Sequence, residues 1–142
     1  MVAGVEPLTD RVFASNPQLQ VVSRCGTGYD SVDREAAQRH GIQLINTPDA
    51  PASAVAEYTV GLLLATLRRI PRSDRELRSG GWKAYMGSLL AQRTVGIVGL
   101  GRVGSRVADL CAAFGSRVRD CDPAVATAQY WRYESVFDLA GA

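Results

Sequence analysis

A chain of 142 residues that is 46% hydrophobic and 21% charged, with a net charge of +2, has the makeup of one ordinary globular domain able to bury a real core. So small a charge excess gives no footing for a nucleic-acid or membrane-surface partner. The 16 basic residues are all arginine except Lys83, which follows Trp82, so the Gly-Lys-Ser/Thr sequence of a P-loop is missing and that class of nucleotidase is excluded.

The opening Met1-Val2-Ala3-Gly4 leads directly to Glu6 and Asp10 and has no secretory character. Residues 19–22 read as a strand and residues 26–30, Gly-Thr-Gly-Tyr-Asp, as a turn. A helix is predicted over 32–40, capped by Asp30 or Ser31 and closed by Gly41, with a second short strand at 43–45. The stretch 46–51 carries two prolines and an Asx residue, and the domain crossing is placed there, dividing the chain into 1–47 and 48–142. A long apolar helix over 53–69 follows. It contains Glu57 and several hydroxyls and falls short of the roughly 20 residues a membrane span needs, so it reads as a buried or subunit-interface helix through which the chain would form a homo-oligomer. Pro71 suits the first turn of a helix over 71–78, which Gly80-Gly81 stop. Arg68, Arg72, Arg75 and Arg78 share one face of this region, with Arg69 beside them. Because Asp74 and Glu76 interleave with them, a solvated face is expected rather than a basic binding stripe.

From Thr94 the pattern changes. Val95, Ile97 and Val98 form the β-branched run of a buried parallel strand, which ends in Gly99-Leu100-Gly101-Arg102-Val103-Gly104. Val103, Val107, Leu110, Cys111 and Phe114 then recur on one helical face, and Gly115 stands where a helix-ending glycine belongs. The next apolar run ends at Asp122. Strand, Gly-x-Gly-x-x-Gly turn, helix, strand and terminal acid are the ordered parts of a dinucleotide site. Gly99 permits the tight turn, Gly101 lets the backbone approach a diphosphate, and Gly104 lets the helix pack on the strand, whose start favours an anion. Asp122 would accept from the ribose hydroxyls and repel a 2′-phosphate, which selects NAD; Arg119 and Asp120 lie close enough to modify that preference. The competing reading is a glycine turn in an ordinary strand-to-helix unit with no ligand. After Asp122-Pro123 a short helix, a strand at 131–133 and a helix opening at Ser135 are expected. Cys25, Cys111 and Cys121 are odd in number and lack metal-ligand spacing, so the chain is expected to be reduced and cytoplasmic. Cys111 belongs to the core face of its helix. Cys25 has no histidine nearby in sequence and is a poor nucleophile candidate.

Several segments taken in order resemble the D-isomer-specific 2-hydroxyacid dehydrogenases, in particular their phosphoglycerate dehydrogenase branch. They are the run 19–33 (Leu-Gln-Val-Val-Ser-Arg-Cys-Gly-Thr-Gly-Tyr-Asp-Ser-Val-Asp), Gly41-Ile42, Asn46-Thr47-Pro48, Val55-Ala56-Glu57, Arg68-Arg69-Ile70-Pro71, Gly81-Trp82, residues 99–104, Phe114-Gly115 and Asp122-Pro123. The likeness covers almost the whole chain. It implies an α/β fold, with part of a flavodoxin-like substrate domain followed by part of a doubly wound, Rossmann-type parallel sheet that binds NAD. It also implies that Thr27 and Gly28 face the substrate carboxylate and the nicotinamide end of the cofactor. Arg102 and Val103 would hold the diphosphate between Gly99, Gly101 and Gly104, and Asp122 would hold the ribose.

Members of that family are more than twice this length, and their histidine acid/base, its glutamate partner and the arginine that grips the 2-keto acid lie beyond residue 142. Residues 2–15 resemble the second strand and helix of the substrate domain rather than the first. The resemblance therefore implies an NAD-dependent oxidoreductase acting on a small D-2-hydroxy or 2-keto acid, present here as a fragment that is inactive alone, since its one histidine, His40, reads as a solvated helix cap. No catalytic residue and no metal ligand is expected within the chain. The alternative the resemblance leaves open is a non-catalytic NAD-binding and assembly module of corepressor type.

Overall fold

The structure, a computed structural model, describes residues 1–124 and the strand backbone at Trp131–Arg132. Two compact units follow one another, Met1–Pro51 and Ala52–Ala142. Beyond residue 47 the chain stays tied to the first unit, where the Thr27 hydroxyl donates to the Pro48 carbonyl at 3.3 Å.

In the first unit, β1 (Val2–Ala3), β2 (Val21–Arg24) and β3 (Gln43–Asn46) form a parallel sheet in the order β1-β2-β3, with α1 (Asp10–Ala14) and α2 (Arg34–Arg39) as the connections. Parallel strands need such crossovers. Phe13 of α1, Val22 of β2, Ala36 and Ala37 of α2, together with Leu8 and Ile42, are the buried core. The helix expected from residue 32 starts instead at Arg34, and its cap is neither Asp30 nor Ser31. Asp33 caps it, its Oδ1 accepting the Ala36 amide at 2.9 Å. The reason is tertiary: Leu8 bridges Val32, with the Leu8 amide donating to the Ser31 carbonyl at 2.7 Å and the Asp33 amide to the Leu8 carbonyl at 2.8 Å. Ser31 is thus taken up in a turn that the Val32 amide closes on the Tyr29 carbonyl at 2.9 Å, Val32 is held in the bridge, and the first residue free to cap is Asp33. Gly41, at φ 67°, closes α2 as expected.

In the second unit α3 (Ala52–Leu67) and α4 (Ile70–Arg78) precede a parallel sheet of β4 (Thr94–Val98), β5 (Arg117–Cys121) and β6 (Trp131–Arg132), ordered β4-β5-β6, with α5 (Arg102–Ala113) crossing from β4 to β5. Arg69, left-handed at φ 56°, separates α3 from α4, which takes Pro71 in its first turn. Ala56 and Val60 of α3 pack with Val107, Ala108 and Cys111 of α5 over Ile97 and Val118 of the sheet. Opposite this face, α3 leaves Val55, Tyr58 and Leu62 exposed at helical spacing. No helix of the described residues is long and apolar enough to cross a membrane. The short helix after Pro123 and the helix at Ser135 lie outside the described residues.

Candidate functional site

Each glycine of the turn after β4 is required for a different reason. Gly99 sits at φ 91°, a conformation that costs an L side chain about 1–2 kcal/mol, and its amide extends the strand ladder to the Cys121 carbonyl at 2.9 Å. A Cβ added at Gly104 would stand 2.0 Å from the Gly99 carbonyl oxygen, so the first turn of α5 lies directly on the turn that precedes it. Gly101 is the reverse case. A Cβ there would meet nothing within 4 Å, at an ordinary φ of −71°. The helix starts at Arg102 with no side-chain cap from Gly101. A bare backbone beside open space, at the positive end of a three-turn helix, fits a diphosphate.

Asp122 follows directly on β5. Its Oδ2 accepts the Leu100 amide at the tip of the turn at 2.7 Å, and its Oδ1 accepts the Ala124 amide at 2.8 Å. The acid expected to bind a ribose therefore also fixes the glycine turn, a role not visible in the sequence because 22 residues separate the partners. Ser105 adds a second tie, its hydroxyl donating to the Leu100 carbonyl at 2.8 Å. Asp120, two residues earlier, is only 1% exposed.

The turn of the first unit is held differently. Its struts come from the segment after β3: the Thr47 hydroxyl accepts the Gly26 amide at 2.9 Å, Asn46 Nδ2 donates to the Thr27 carbonyl at 2.7 Å, and the Thr27 hydroxyl donates to the Pro48 carbonyl at 3.3 Å. Among the described residues nothing accepts the Thr27 and Gly28 amides, so two adjacent donors remain for an anionic ligand. Arg24, which the sequence reading did not single out, packs its guanidinium over this turn and donates to the Cys25 carbonyl; its buried Nε has no acceptor among the described residues.

With both turns in place, comparison with known proteins decides the lineage. The family model for the D-isomer specific 2-hydroxyacid dehydrogenase, catalytic domain, matches residues 1–135. The chain belongs to this family. The D-3-phosphoglycerate dehydrogenases of Mycobacterium bovis and Rattus norvegicus are each 40% identical to it, over 91% and 88% of the chain. The chain spans only about a quarter of those relatives, 25% and 24% of their lengths. A crystal structure of a Thermus thermophilus protein superposes with a TM-score of 0.89 at 33% identity, covering 97% of this chain and 46% of that one. The NAD+-bound 3-phosphoglycerate dehydrogenase of Entamoeba histolytica superposes with a TM-score of 0.82 at 25% identity, over 97% and 41% of the two chains.

The remaining candidates of the chain lie apart from this chemistry. His40 ends α2 and its Nε2 lies 3.2 Å from Asp10 Oδ1, which also accepts from Arg39 at 3.0 Å. The Arg39 guanidinium, with His40 second, holds the Asp10 carboxyl below its ordinary 3.8. Cys111 is buried, and burial pushes its thiol up, away from nucleophilic use; Cys25 is exposed. The arginines of α4 are solvated, as expected: Arg78 pairs with Asp74 at 2.9 Å and Arg72 lies 4.2 Å over the Tyr85 ring. No group of three potential metal ligands occurs among the described residues.

Proposed function

We propose that this chain is the part of a D-2-hydroxyacid dehydrogenase, of the phosphoglycerate dehydrogenase kind, that holds the adenosine and diphosphate end of NAD and contributes to the substrate-carboxylate loop. The observation that carries the reading is the junction at Leu100. Gly99, Gly101 and Gly104 strip the backbone around an uncapped helix start, and Asp122 grips the tip of the same turn. Gly101, Arg102 and Val103 would lie along the diphosphate, and Asp122 would add the ribose hydroxyls to the amides it already accepts. When bound, the nicotinamide supplies the hydride acceptor for oxidation of the 2-hydroxy acid. The Thr27 and Gly28 amides, with Arg24 beside them, suit the acid's carboxylate.

The first unit would accordingly belong to the substrate domain and the second to the NAD-binding domain. The chain alone has no turnover. Its one histidine is committed to Asp10 at a helix end. The exposed stripe Val55, Tyr58 and Leu62 of α3 fits association with a second copy.

Calorimetric titration of the pure chain with NAD tests this reading. Saturable NAD binding, weakened by Asp122→Ala, is expected, with no NADH formed on adding 3-phosphoglycerate or D-lactate. An unchanged NAD affinity in Asp122→Ala removes that residue from the ribose role, and steady NADH production by the pure chain contradicts the assignment of inactivity.

A further inference from the structure

β5 carries an acid where its neighbours predict a hydrocarbon. Strand alternation puts Asp120 on the face of Val118 and directly opposite Ile97 of β4, and both of those side chains belong to the core that α5 covers. Asp120 is 1% exposed, and its Oδ1 is buried with no hydrogen-bond donor among the described residues. An unmet buried acceptor is destabilising, and a valine or isoleucine would fit this face of a parallel strand without that cost. Sequences break local rules of this kind mostly at functional sites.

We propose that Asp120 is a specificity-determining residue of the dinucleotide site, a second acid behind Asp122 that disfavours a cofactor carrying a 2′-phosphate. The inference rests on Asp122 being the ribose acid. The two residues lie two apart along one strand direction, about 7 Å between Cα atoms. Their surroundings differ in the way that matters. Each Asp122 oxygen receives a backbone N–H, at 2.7 and 2.8 Å, which offsets part of its negative potential. Asp120 Oδ1 receives none among the described residues, so no donor offsets its negative potential. A phosphate placed on the ribose beside Asp122 meets this second potential, whereas free ribose hydroxyls, which are donors, do not suffer from it. Asp122 holds the ribose; Asp120 deepens the penalty for the wrong one.

The test is calorimetric titration of the full chain with NAD and with NADP, in the parent, Asp120→Asn, Asp120→Ala and Asp122→Ala, with thermal melting of each. The expected result is that both Asp120 variants improve NADP affinity relative to NAD by about tenfold, the effect of removing one acidic group about 10 Å away at an effective dielectric near 20. NAD affinity itself should stay within about threefold, and melting temperatures should be equal or higher because the unmet acceptor is gone. Asp122→Ala should instead weaken NAD. An unchanged NADP-to-NAD ratio in both Asp120 variants, with NAD still bound and weakened by Asp122→Ala, overturns the Asp120 assignment alone. Unfolding of both variants overturns it in favour of a packing role. No NAD binding by the parent overturns the dinucleotide reading and this inference with it.

Discussion

The two glycine-bearing turns of this chain stand at the carboxyl ends of parallel strands, yet only one of them rests on direct backbone contact. The turn at 99–104 rests on backbone against backbone, a left-handed Gly99 and a Gly104 whose missing side chain lets a helix rest on the Gly99 carbonyl, and the side chains of Asp122 and Ser105 tie down its tip at Leu100. The turn at 26–28 has one glycine at positive φ, Gly26 at 131°, but no backbone contact like that of Gly104: it is held by the side chains of Asn46 and Thr47, and an added Cβ at Gly28 would approach only the end of Asp30. Backbone contact leaves almost no room for substitution. Side-chain struts can be replaced one at a time. The first turn type suits a ligand group of fixed shape such as a diphosphate, and the second suits a small acid whose remainder varies.

The largest effect expected from this contrast is that of Gly104→Ala. A methyl group 2.0 Å from a backbone oxygen cannot be relieved by a rotamer change, so α5 must lift from the turn. Overpacking against backbone should cost at least about 3 kcal/mol, lowering the thermal midpoint of the second unit and abolishing NAD binding together with it. Next comes Gly101→Ala. Its methyl group meets nothing and its φ is ordinary, so melting should be unchanged. NAD affinity measured by calorimetry should nevertheless fall at least about tenfold, or about 1.4 kcal/mol, because the space filled is the space the diphosphate needs. Equal loss of stability in the two variants would mean that the open side of Gly101 is not open.

The difference between the turns also governs what the sequence revealed. Gly99, Gly101 and Gly104 were legible because their roles are local: the spacing alone dictates which residue must bend, which must be bare and which must let the helix approach. The strands β3 and β4 and the helices α3 and α5 were legible from apolar periodicity for the same reason. The cap of α2 was not, since only the contact between Leu8 and Val32 reveals that residues 31 and 32 are held outside the helix and that Asp33 must cap. The second role of Asp122, on the Leu100 amide, and the donorless burial of Asp120 both depend on pairing between segments about 20 residues apart. Thr27 and Gly28 were singled out through family resemblance, because their struts at Asn46 and Thr47 have no spacing rule that announces them.

A smaller effect is expected from Asn46→Ala. It removes one donor from the Thr27 carbonyl on an exposed turn, where water can take its place, so the loss should be about 1 kcal/mol and confined to the first unit. Amide hydrogen exchange at residues 26–28 should quicken while the 99–104 amides keep their parent rates.

The smallest effect is assigned to Gly28→Ala, and it separates the two turns most cleanly. Its added methyl would lie 2.5 Å from Asp30 Oδ2, which looks as severe on paper as the clash at Gly104. The atom struck is the end of a short side chain that can rotate into solvent, and Gly28 is not among the residues at positive φ. The cost should therefore stay within about 0.5 kcal/mol, as for a surface substitution that leaves caps and core alone. Parallel melts of Gly28→Ala and Gly104→Ala in one buffer put the distinction to the test. If Gly28→Ala lowers the midpoint as far as Gly104→Ala does, the first turn is also held by its backbone, and the freedom ascribed to its struts does not exist.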